Sequence, residues 1–81
     1  MVAKTDKIVS RMVSYGFDQS QIFTVALANG QTWRQLSGDT EYAHWTKPAA
    51  SYVVSITRGF LGSYNFRVVN ASGSYKVGRL K

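Results

Sequence analysis

The segment FTVALANGQTWRQ, residues 23–35, sets an Asn-Gly pair between two stretches of alternating side chains. Before the pair, Phe23, Val25 and Leu27 share one parity, while Ile22, Thr24 and Ala26 share the other. A period of two is the mark of a half-buried strand. Asn29-Gly30 suits a type I′ turn, in which both central residues need φ > 0. The spacing therefore predicts a β-hairpin over residues 21–36 and excludes a helix there. Trp33 follows the turn with the parity that sets it across from the Phe23–Leu27 stretch. A cross-strand aromatic on β-branched neighbours is ordinary sheet packing. Trp33 is either a core residue, which its parity favours, or an outward contact. Arg34 then takes the opposite face.

The remaining strand signals are short and evenly spaced. KIVSRMVSY (7–15) is rich in β-branched residues but mixed in parity, with Ile8 and Met12 against Val9, Val13 and Tyr15. A helix placing 8, 12 and 15 on one face is the alternative. GFDQS (16–20) is turn chemistry: Gly16 supplies an unusual φ, and Asp18 and Ser20 bond nearby backbone. YVVSITR (52–58), YNFRVV (64–69) and SYKVGRLK (74–81) complete the set. Gly59 and Gly62 hold a connection around Phe60 and Leu61, NASG (70–73) is a four-residue hairpin loop, and Gly78 is a candidate bulge that resets register. About six strands with turns between them predict an all-β chain, a small antiparallel barrel of SH3-like meander, with an OB-like barrel as the alternative. Residues 1–5 read as a flexible tail and 6–81 as a single barrel domain.

A chain of 81 residues without cysteine builds one compact core and has no thiolate chemistry. Ten Lys and Arg against four Asp and Glu give a net charge of +6, with a pI near 10.0. That balance favours anionic partners, namely an acidic protein or polymer or a nucleic acid. Surplus charge for solubility is the plainer explanation. No apolar run reaches the roughly 20 residues of a membrane-spanning helix, and the first ten residues lack the apolar stretch of a signal peptide.

The longest irregular segment, 37–51, carries Tyr42, His44 and Trp45, which read either as a lid over an open barrel end or as a contact platform. Arg34, Arg58, Arg67, Lys76 and Arg79 interleave with aromatics, as in barrels that hold single-stranded nucleic acid. A solvated strand face is the alternative. Parity places Arg34, Arg67 and Lys76 together on an outer surface. GFLG (59–62) matches the glycine pattern of KH loops poorly, because those loops join helices. Phe60 is a barrel plug or a partner contact. Asp39, Glu41 and His44 suit neither a zinc site nor a convergent carboxylate pair. No catalytic residue, metal site or cofactor is assigned. Asn70-Ala71-Ser72 is a glycosylation sequon by pattern alone.

FTVALANGQTWRQ, ITRGFLGSYNFRV (56–68) and YKVGRL (75–80) together resemble a group of small uncharacterised bacterial exported proteins with the motif F-x-L-x-N-G-Q-x-W-x-Q. The likeness spans about residues 8–81; the chain departs from it in Val25–Ala28 and in its longer 37–51 loop. The resemblance implies a location in the cell envelope with a leader removed, whereas a chain starting natively at Met1 is cytoplasmic. It implies no activity or ligand, and sets Gln31 and Gln35 against the neighbouring loop. The expected function is a non-catalytic β-barrel binding module for a protein or an anionic envelope polymer. The alternative is a single-stranded nucleic-acid-binding barrel.

Overall fold

The structure, a computed structural model, describes residues 7–39, 41–59 and 63–81. The expected tail at 1–5, and the plug or contact at Phe60 with its neighbour Gly62, lie outside these residues. Six strands, β1 (Lys7–Phe17), β2 (Phe23–Leu27), β3 (Thr32–Gln35), β4 (Val53–Arg58), β5 (Tyr64–Val68) and β6 (Tyr75–Arg79), form a closed antiparallel barrel. A short 3₁₀ turn, Ala49–Ser51, precedes β4.

The ring runs β1-β2-β3-β6-β5-β4, so it is not one continuous meander. Two three-stranded meanders are joined along two seams, β1 to β4 and β3 to β6. The 37–51 segment carries the chain from β3 to β4 across one end of the barrel. Closure gives every strand a partner on each side, though β1 gives each of its partners only part of its length, and this limits edge-to-edge association.

The alternating apolar residues fill the interior: Phe23, Val25 and Leu27 from β2, Trp33 from β3, Val54 and Ile56 from β4, Phe66 and Val68 from β5, Tyr75 and Val77 from β6. Trp33 pairs with Val25 and is only 1% exposed. Its indole Nε1 donates to Gln31 Oε1 at 3.1 Å, so Gln31 serves the tryptophan rather than a loop. The mixed parity of β1 has a specific cause. Register shifts between Met12 and Ser14, leaving Val13 as the extra, exposed residue of a bulge. Met12 and Tyr15 thereby face the same interior although they are three residues apart.

Four expectations, three of turns and one of a bulge, are corrected. Among the described residues, positive φ occurs at Gln21, Gly30, Asn70 and Gly73, not at Asn29. The Gly30 amide bonds the Leu27 carbonyl at 3.0 Å, and the loop closes as three residues with a glycine bulge instead of a type I′ pair. Gly16 lies inside β1; the Asp18 turn is closed by Gln21, whose φ is 68°. Gly78 sits in regular pairing with Arg34 and is no bulge. The loop after β5 is also longer than NASG, because β5 ends at Val68 and β6 starts at Tyr75. Gly59 has a steric reason: a Cβ there would lie 2.8 Å from the Ser63 carbonyl oxygen, which accepts the Gly59 amide.

Gly30→Val is expected to destabilise the fold by roughly 1–3 kcal/mol, the cost of a β-branched residue at its φ of 90°. Gly16→Ala, at ordinary φ with open space around it, should leave stability unchanged or slightly raised. Thermal melts followed by circular dichroism separate the two; equal melting temperatures would refute the turn assignment.

Candidate functional site

At one barrel end the 37–51 segment folds inward by alternation. Ala43 is buried and Trp45 partly so, while Tyr42 and His44 stand exposed. The Trp45 ring lies 4.8 Å from Phe23, 5.3 Å from Tyr15, 5.6 Å from Phe17 and 5.9 Å from Phe66. Two tyrosines hold the segment down. The Tyr15 hydroxyl donates between the main-chain carbonyls of Trp45 at 3.1 Å and Lys47 at 2.7 Å. The Tyr52 hydroxyl oxygen accepts the amides of Thr46 at 3.2 Å and Lys47 at 3.1 Å. Trp45 is thus a lid residue whose ring closes the core.

Gln35 ties the same segment to β3. Its Nε2 donates to Asp39 Oδ2 at 2.8 Å and to the Glu41 carbonyl at 2.7 Å. Both acceptors require the nitrogen on that side, so the amide orientation is fixed and the buried Oε1 has no partner among the described residues. Asp39 Oδ2 also accepts the Lys76 amide at 3.1 Å. Asp39 therefore works structurally, away from any pairing with His44. Burial, then the charges of Glu41 and Asp39, push the Tyr75 phenol above its ordinary 10.0 and keep it neutral. Beside the lid lies a hollow of about 220 Å³ lined by Phe17, Gln21, Ala43, His44, Trp45 and Thr46. It holds one imidazole and no carboxylate, and among the described residues no three side chains are grouped to bind a metal.

The second candidate is the outer wall of β1, β4, β5 and β6. Strand register sets Lys7 beside Thr57, Thr57 beside Asn65, and Asn65 beside Lys76. The next outward row is Val9, Ser55 and Arg67, and Arg11 beside Val53 begins a third. Lys7, Arg11, Arg67 and Lys76 are all exposed, and none of the four strands carries an Asp or Glu. At about 3.3 Å per residue and 4.8 Å per strand, these cations fall within a patch of about 13 by 15 Å. Among the described residues Lys76 Nζ bonds only the neutral Asn65 Oδ1, at 2.7 Å. The expected outer surface of Arg34, Arg67 and Lys76 thus gains Lys7 and Arg11. Only the β1–β4 seam brings those two beside Arg67; their shared parity with Val9 was the sole hint in the chain.

Arg34 stands apart from this wall in charge. Its guanidinium meets Asp18 Oδ2 at 2.9 Å and Thr24 Oγ1 at 3.4 Å. Asp18 Oδ1 accepts the amides of Ser20 at 2.8 Å and Ile22 at 3.0 Å. The Ile22 amide, then the Ser20 amide and Arg34, hold the Asp18 carboxyl below its ordinary 3.8, against an opposing effect of desolvation. Arg58 lies over the Tyr64 ring, 6.0 Å from its centroid.

Trp45→Ala should cost about 2–4 kcal/mol, below the upper end for a fully buried aromatic, and should expose the core end to dye binding. Because the Asp18 pKa is lowered on folding, its contribution is present above about pH 3.8 and is lost as pH falls through the folded value. Asp18→Asn should therefore flatten the fall in melting temperature below pH 4; an unchanged acid limb would refute the assignment. Comparison with family models, curated proteins and solved structures finds no match, so what this chain binds has to be argued from its own surface.

Proposed function

We propose that this barrel is a non-catalytic binding module that holds an anionic partner, an acidic protein face or an anionic envelope polymer, on the wall of β1, β4, β5 and β6. The observation that carries this reading is the exposure of Lys7, Arg11, Arg67 and Lys76 on strands without a single carboxylate. The cations stand about one to two Debye lengths apart at physiological salt, so an extended anionic chain meets them one after another along the wall. In the wall β4, β5 and β6 are paired on both sides, and the Lys7–Arg11 part of β1 is held by β4.

The distribution of rings weighs against the single-stranded nucleic-acid alternative. Such barrels stack bases on exposed aromatics beside their cations. Here Trp33, Phe66 and Tyr75 are buried in the interior. The wall offers small polar groups, Ser55, Thr57 and Asn65, and valines between its charges, which suits contact with a backbone charge more than with a base.

Binding to labelled polyglutamate, measured by fluorescence anisotropy, should weaken steadily as salt rises. Arg67→Ser with Lys76→Ser should weaken it a further two- to thirtyfold, the scale of two exposed ion pairs at about 0.2–1 kcal/mol each. The melting temperature should hold, since such surface changes move stability by less than about 0.5 kcal/mol. Affinity insensitive to both salt and the double substitution would refute the proposal. Tighter binding of oligothymidine than of polyglutamate at matched charge would move the protein to the nucleic-acid class.

A further inference from the structure

Neither a positive φ, a register shift nor a backbone clash requires glycine at position 78. It lies in regular pairing opposite Arg34, its φ is not positive, and an added Cβ would meet only the end of the Leu36 side chain, at 3.3 Å from Cδ2. A glycine in mid-strand weakens the strand and often marks a place where another chain approaches closely. Its neighbours define what approaches. The Leu36 amide bonds the Lys76 carbonyl, and the Leu80 amide bonds the Thr32 carbonyl, each at 2.8 Å. This register sets Leu36 and Leu80 on the outward side, one at each end of the bare position. The result is a surface hollow of about 340 Å³ lined by Arg34, Leu36, Gly78, Arg79 and Leu80, among others. Leu80 is 60% and Leu36 39% exposed.

Cations outnumber acids around the hollow: Arg34, Arg79 and Lys76 stand against Asp18 and Asp39, and Asp39 Oδ2 is held by the Lys76 amide and Gln35 Nε2. Arg34 is matched by Asp18. Arg79 donates its Nε to the Lys81 main-chain oxygen at 2.9 Å, and its terminal nitrogens hold no partner among the described residues. The ammonium of Lys76, beside Leu36, bonds the neutral Asn65 amide and no carboxylate among the described residues, although its main-chain amide bonds Asp39 Oδ2. The volume falls at the small end of ligand pockets, which run from roughly 300 to 1,000 Å³.

We infer that this hollow receives one leucine-sized side chain of an acidic protein segment, whose carboxylates lie along Arg79 and Lys76 toward the basic wall. The inference rests on the wall reading for the acidic character of the partner. It goes further by choosing a protein: a polysaccharide or phosphate polymer brings charge but no apolar group to cover two leucines.

The test uses two labelled acidic pentapeptides, identical except for a central leucine or a central glycine, with polyglutamate as the probe of the wall alone. The intact chain should bind the leucine peptide at least tenfold tighter than the glycine peptide. Gly78→Val fills the hollow and should abolish that preference while leaving polyglutamate binding and the near-ultraviolet dichroism unchanged. Leu80→Ser removes one side of the hollow without filling it and should reduce the preference several-fold, which covers the case of a misfolded valine variant. Equal affinity for the two peptides overturns the inference and leaves the wall reading standing. A leucine preference without polyglutamate binding removes the wall reading and keeps the hollow. Concentration-dependent dimerisation that Gly78→Val abolishes would assign the hollow to a second copy of this chain and overturn the inference.

Discussion

The barrel depends on one strand serving two neighbours in succession. Residues Lys7–Arg11 of β1 pair with β4, and Met12–Phe17 pair with β2. The two partners lie on opposite edges of β1, and the extra residue Val13 bends the strand where one pairing gives way to the other. The same bulge decides what faces inward. Without it Tyr15 would alternate to the outside, and its hydroxyl would miss the Trp45 and Lys47 carbonyls. The facing of Tyr15, and with it the fastening of the barrel end, is therefore set by a single inserted residue.

Much of this is legible in the chain because it is local. The alternation of β2, β4, β5 and β6 gives the core positions directly. The burial of Trp33 depends on the three-residue loop: a two-residue turn at Asn29-Gly30 would set it opposite Ala26 on the outer face, and the extra loop residue brings it opposite Val25. The 37–51 segment reads as a lid or a platform because it is aromatic and irregular, and its geometry selects the lid for Trp45 while leaving Tyr42 outside. What escapes is set by distant pairing or by turn chemistry with no marker. The bulge at Val13 has no glycine to announce it, and shows only as conflicting parity between Met12 and Tyr15. The positive φ at Gln21 is imposed by the Asp18 carbonyl and carboxylate around it, since Gln is not a residue that seeks that region. Gly78 invites a bulge reading because glycine in a strand usually signals one. The ring order, and with it the company of Lys7 and Arg11, follows from seams that no short-range pattern encodes.

The two candidate surfaces divide the side-chain chemistry between them. Aromatic rings are spent on sealing the barrel, chiefly around Trp45 and between Trp33 and Tyr64, whose centroids are 5.0 Å apart. Charge is left outside, on a wall whose strands have no acid to neutralise it. The carboxylate of Asp18 is engaged in a turn, and that of Asp39 between Gln35 and the main-chain amide of Lys76 at the margin of the wall. A small barrel built this way offers breadth of contact more readily than depth.

The two-meander ring also sets an order of assembly. Within each half, strands meet through short connections, and such hairpins form quickly because little chain must be closed. The seams join Lys7 to Thr57 and Trp33 to Arg79, across most of the chain's length. Pairings of that separation come late and slow the whole process. Until they form, each half is a curled ribbon with two bare margins, β1 and β3 in one, β4 and β6 in the other. Those margins are made to match their counterparts in the same chain, and so they match equally well the counterparts in another. Exchange of halves between two molecules is thus the characteristic hazard of this topology on the way to the closed form.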